Sequence, residues 1–135
     1  MEEFVFQLKG PVISKKNSNI FNRVTGKVGK TLNYRKWYNK AVRQLTAQWE
    51  LYQEEIGKKI VITEVNFIMF EFTYGSMRRK DTDNAMTSIY DLMTDCGVIK
   101  DDSWRELPRG GWKCNYNKGE DSTIVTLSIK KGINK

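Results

Sequence analysis

The hydrophobic positions change period several times along the chain. Phe4, Phe6 and Leu8 alternate with polar residues, which predicts a first strand ended by Gly10-Pro11. Ser14 to Asn33 is rich in Lys, Asn and Gly and reads as a loop, with a hairpin tip at Val24-Thr25-Gly26-Lys27-Val28. From Tyr34 to Tyr52, residues Tyr38, Ala41, Val42, Leu45, Trp49 and Tyr52 recur at three- and four-residue steps, the stripe of a helix facing a core. Lys59 to Tyr74 is β-branched and aromatic with apolar residues on both alternation phases, which predicts a central strand covered on both sides. Asn84 to Cys96 predicts a second helix, with Ala85, Ile89, Leu92, Met93 and Cys96 inward, Asp83 as N-cap and Gly97 as C-terminal stop. Trp112 to Tyr116 and Thr123 to Ile129 read as a closing hairpin around Asn117 to Asp121, with core packing for at least one face of Trp112. The sum is α+β: one small domain over residues 1–135, with a mixed β-sheet of about four to six strands and two main helices.

Composition narrows the chemistry. No apolar stretch approaches the roughly 20 residues of a membrane helix, and the N-terminus has acids where a signal peptide has bases, so a cytoplasmic protein is expected. Cys96 and Cys114 are far apart and histidine is absent. Zinc sites, Ser-His-Asp hydrolysis and histidine general bases are thereby excluded, leaving carboxylates, lysines, hydroxyls or a hard metal ion.

The net charge of +7 is unevenly placed. Between Glu3 and Glu50 there is no acid, yet the stretch holds Lys15, Lys16, Arg23, Lys27, Lys30, Lys36, Lys40 and Arg43. Arg78, Arg79 and Lys80 add a second basic run. Such self-repulsion predicts a polyanionic partner, DNA or RNA, with Lys36, Lys40 and Arg43 on one helical face to meet a phosphate backbone.

Acids sit within this basic surface. Asp81 and Asp83 are two residues apart, so in extended chain both carboxylates point the same way and can reach one ion. Lys100-Asp101-Asp102 follows one helix length later. Phosphodiester hydrolysis needs an activated water and charge stabilisation at the phosphoryl oxygens, and Mg²⁺ on aspartates provides both.

The segment Asp81-Thr82-Asp83-Asn84, continuing through Asp91-Leu92 and Gly97-Val98-Ile99-Lys100-Asp101-Asp102, resembles the RusA family of Holliday junction resolvases. The resemblance is close over residues 78–105 and loose elsewhere. It implies a homodimeric endonuclease that binds four-way DNA junctions and makes paired, symmetrical nicks with Mg²⁺, for which Mn²⁺ can substitute. It places metal ligands at Asp81, Asp83 and Asp102, with Asp101 beside them. One position departs: Thr87 stands where that family carries a lysine. Lys80 or Lys100 is the expected replacement; a module that binds junctions without cutting them is the alternative. Trp104 and Trp112 are candidates for stacking on bases in a further reading as a single-strand binder.

Overall fold

The computed structural model describes residues 2–14, 19–77, 82–100 and 110–135. Its element order is β1 (Glu2–Lys9), β2 (Asn19–Asn22), β3 (Lys27–Lys30), α1 (Leu32–Ile56), β4 (Ile60–Tyr74), α2 (Thr82–Asp95), β5 (Gly110–Tyr116) and β6 (Ser122–Asn134). Four strands form a mixed sheet in the order β1-β6-β4-β5, and β2 and β3 form a separate hairpin. The α+β expectation holds.

The first helix is longer than its apolar stripe. Thr31 accepts the Tyr34 N–H as N-cap, and Gly57 ends the helix in a left-handed conformation with Lys58 N–H bonded to Gln53. Trp37 and Tyr34 join Ala41, Leu45 and Trp49 in the buried face. The second helix begins at Thr82, so Asp83 lies inside its first turn instead of capping it. Gly97 ends it as expected, at φ 73°, with Val98 N–H bonded to Met93 O.

Two further expectations are corrected. The central strand β4 is covered on one face only: Ile60, Ile62, Val65, Ile68, Phe70 and Phe72 are buried, whereas Phe67 on the other side is 39% exposed. The apolar second phase is therefore a solvent-facing sheet surface. Nor do β5 and β6 form a hairpin. Strand β5 runs parallel to β4, while β6 inserts antiparallel between β1 and β4. The intervening turn crosses the end of β4, held by Asn117 N–H to Tyr74 O, Gly119 N–H to Gly75 O and Gly75 N–H to the Asp121 carboxylate. A Cβ at Gly75 would stand 2.8 Å from the Glu120 backbone nitrogen, so only glycine lets the chain pass so closely.

β4, α2 and β5 thus make a β-α-β unit, with α2 returning against the direction of β4 and packing Ile89, Leu92 and Met93 into the core. Ligand sites of such units lie at the carboxyl ends of the parallel strands, where α2 begins.

Candidate functional site

Asp83 occupies that position. It is exposed in the first turn of α2, where helix polarity favours negative charge, and among the described residues no group pairs with its carboxylate. Beside it the Thr82 hydroxyl lies 3.5 Å from the Tyr74 hydroxyl and 3.8 Å from the Cys114 sulfur. This joins the end of β4, the start of α2 and the middle of β5. Burial pushes the Tyr74 phenol above its ordinary pKa, so the ring is a hydrogen-bonding anchor and not a base. Tyr74 and Cys114 had no signal in the sequence, because only the parallel pairing of β4 with β5 brings them together.

Thr87, one turn beyond Asp83, donates its hydroxyl to the Asp83 carbonyl at 3.0 Å. The Thr87 side chain is therefore engaged by the helix itself.

Lys100 follows the end of α2 opposite Asp83. Ile99 N–H is bonded to Met93 O, and ten residues of helix separate Met93 from Asp83, a rise of about 15 Å. The direction of the chain matters more than that gap. Ile62 and Ile99 form a parallel bridge, with Lys100 N–H bonded to Ile62 O, so the chain at Lys100 heads along β4 toward the end of α2 that carries Asp83. Asp81, Asp101, Asp102 and Trp104 lie outside the described residues. Among the described residues no group of three or more Cys, Asp or Glu side chains is placed to hold a metal.

The basic residues fall in two places. Arg23, Lys27 and Lys30 are on the β2–β3 hairpin, whose four-residue turn is Arg23 to Gly26, with Asn22 Oδ1 accepting from the Val24 and Thr25 N–H groups. Lys30 is held by Asn19 Oδ1 at 2.6 Å and stands 5.9 Å from the Tyr34 ring centre. Lys36, Lys40 and Arg43 are exposed on α1, one helix turn apart. Among the described residues, Arg23, Lys27, Lys36, Lys40 and Arg43 form no ion pair, whereas Lys113 and Lys130 are paired with Glu71 and Glu64. Lys15, Lys16, Arg78, Arg79 and Lys80 lie outside the described residues. The loop before Lys15 is nonetheless anchored, since Ser88 on α2 donates to Ile13 O at 3.2 Å.

No helix among the described residues is long and apolar enough to cross a membrane. No family model matches the chain, and no curated protein matches it.

Proposed function

We propose that the protein is a Mg²⁺-dependent endodeoxyribonuclease acting on branched DNA, resolving four-way junctions by paired nicks in recombination and repair. The observation that carries the reading is the placement of Asp83: an exposed carboxylate, unpaired among the described residues, at the carboxyl end of the parallel strand pair, inside the Asp81-Thr82-Asp83-Asn84 motif. The parallel bridge at Ile99 also favours it, because Lys100, the residue before Asp101 in the sequence, leaves that bridge along the direction of β4.

The donor chemistry fits the ion: Asp81, Asp83 and Asp102, with Asp101 beside them, are hard oxygen ligands of the kind Mg²⁺ takes. Bound there, the metal supplies positive charge at the phosphate and a more acidic water. The chain's own part is to hold the DNA. The cations of α1 and the hairpin, with Lys15, Lys16, Arg78, Arg79 and Lys80, contact phosphates and so fix the scissile bond relative to Asp83. Two copies related by a twofold axis match two like strands of a junction. In this reading Lys80, next to Asp81 in the sequence, is the candidate lysine, with Lys100 beside Asp101 the other. The deciding experiment compares nicking of a four-way junction by wild type and Asp83→Asn. Equal rates would remove Asp83 from the site.

A second reading follows from Thr87. With its hydroxyl engaged by the Asp83 carbonyl, α2 offers no cation at the leaving oxygen, which favours a module that binds branched DNA and cuts it weakly or not at all. EDTA separates the two, since binding alone is indifferent to it.

A further inference from the structure

The β2–β3 hairpin stands apart from the four-stranded sheet, and none of its side chains joins the core cluster of the described residues. A two-stranded ribbon alone is marginal in water, so polar bonds have to hold its shape. At its base Asn19 Oδ1 accepts from the Lys30 ammonium at 2.6 Å, and that ammonium stands 5.9 Å from the Tyr34 ring centre on α1. At its tip Asn22 Oδ1 accepts from the Val24 and Thr25 N–H groups, and the Thr25 hydroxyl accepts from the Lys27 N–H at 3.3 Å. Gly26 N–H closes the turn on Asn22 O at a φ of 70°. The hairpin therefore has its shape before it meets a partner.

Its apolar side chains are bare. Phe21 and Val28 are register partners and so share one face of the ribbon, 59% and 67% exposed, and Val24 at the tip is 95% exposed. Turn positions ordinarily carry glycine or small polar residues, and no contact within the fold rewards a valine there. The charge around these residues has one sign. Arg23 and Lys27 flank the tip, and no acid lies between Glu3 and Glu50. An apolar pair inside a cationic rim fits a partner with flat apolar surfaces set within a polyanion, which describes a base pair between two phosphate backbones.

We propose that the hairpin is the element that recognises the branch itself: Phe21, backed by Val28, stacks on the base pair that ends an arm at the branch point, with Val24 leading and Arg23 and Lys27 on the flanking phosphates. The inference rests on the branched-DNA reading above and supplies its means of selectivity. In a continuous duplex each base pair is covered by the next, so an apolar wedge must first unstack a step at a cost in free energy. At a branch point that stacking is interrupted, and a base-pair face is open to Phe21 without the cost. Phosphate contacts exist in both kinds of DNA and do not tell them apart. Phe21 is thus a specificity residue, whereas Arg23 and Lys27 supply affinity for any duplex.

The test is binding of the full chain, in EDTA so that nothing is cut, to a labelled four-way junction and to a linear duplex of matched sequence. Wild type is compared with Phe21→Ala, Phe21→Trp and the double variant Arg23→Ala, Lys27→Ala. All three positions are exposed, so the core is kept. Phe21→Ala should lose at least about fivefold in junction affinity, with duplex affinity and the salt slope unchanged, and Phe21→Trp should restore the preference. The double variant should weaken both DNAs alike and lower the slope. A 2-aminopurine beside the branch point should change its emission with wild type and less with Phe21→Ala. Equal losses on both DNAs, no junction preference in wild type, or a silent 2-aminopurine would each overturn the assignment. So would a solution mass that shifts in Phe21→Ala without DNA, which would give the pair to protein association. The nuclease reading fails separately, by the absence of Mg²⁺-dependent nicks from a protein whose hairpin still selects the junction.

Discussion

Gln48 closes both backbone groups of Gln7, accepting its N–H and donating to its carbonyl, each at 2.8 Å. Its neighbour Gln44 does the same for the Lys9 N–H at 3.0 Å. Two helix side chains thus do for β1 what a further strand would do. Replacing both by alanine should cost about 1 kcal/mol for each missing bond in urea unfolding. It should also expose the β1 edge to pairing with other chains and raise the mass seen in light scattering. Unchanged mass at all concentrations would show that the glutamines do not guard the edge.

The bond from Thr87 to the Asp83 carbonyl predicts the effect of restoring a cation. Thr87→Lys places an ammonium one helical turn from Asp83 at no core cost, and a general acid at the leaving oxygen is commonly worth about 100- to 10,000-fold. Nicking should rise by at least about tenfold. A rate unchanged by this substitution would place the scissile phosphate away from that face of α2.

Lys36→Ala and Lys40→Ala remove two unpaired cations from the exposed face of α1. DNA affinity should fall together with the slope of log K against log salt, by about 0.9 for each phosphate no longer neutralised. A slope equal to that of wild type would take α1 out of the interface.

Alkaline pH should unfold the protein through its phenols. Burial raises the pKa of Tyr38, Tyr52, Tyr74 and Tyr90 above the ordinary value, and Tyr38 is held further by donating to Asp95 Oδ2 at 2.6 Å. A raised pKa means that the folded state favours the neutral ring. That stability is complete below about pH 10 and is lost as pH rises through the folded values. Urea midpoints should be level across neutral pH and fall above about 10, less steeply in Tyr38→Phe. A fall beginning near neutrality would contradict this.

Local patterns were legible and long-range pairing was not. The stripe Ala41, Leu45, Trp49 read as a helix because its partners lie within one element, and Gly57 and Gly97 mark helix ends through their own positive φ. The strand from Ile60 to Tyr74 was clear, but two apolar phases do not reveal whether a second layer exists; Phe67 and Val5 lie on a bare face instead. The turn from Asn117 to Asp121 has the composition of a hairpin, yet Gly75 lets it pass over β4, so β5 and β6 lie on opposite sides of that strand. At the candidate site, Asp83 was found through its spacing to Asp81. The cluster of Tyr74, Thr82 and Cys114 was not, since it exists only through parallel pairing. Lys100 neighbours Asp101 in the sequence, while the length of α2 lies between its backbone and Asp83.

The most direct measurement is incubation of the purified protein with a labelled four-way junction and a matched linear duplex, each with Mg²⁺ and with EDTA. Wild type should nick the junction in symmetrical pairs only with Mg²⁺ and spare the duplex, and Asp83→Asn should bind the junction without cutting it. Tight junction binding with no nicks from wild type in either Mg²⁺ or Mn²⁺ would contradict the nuclease and leave the binding module.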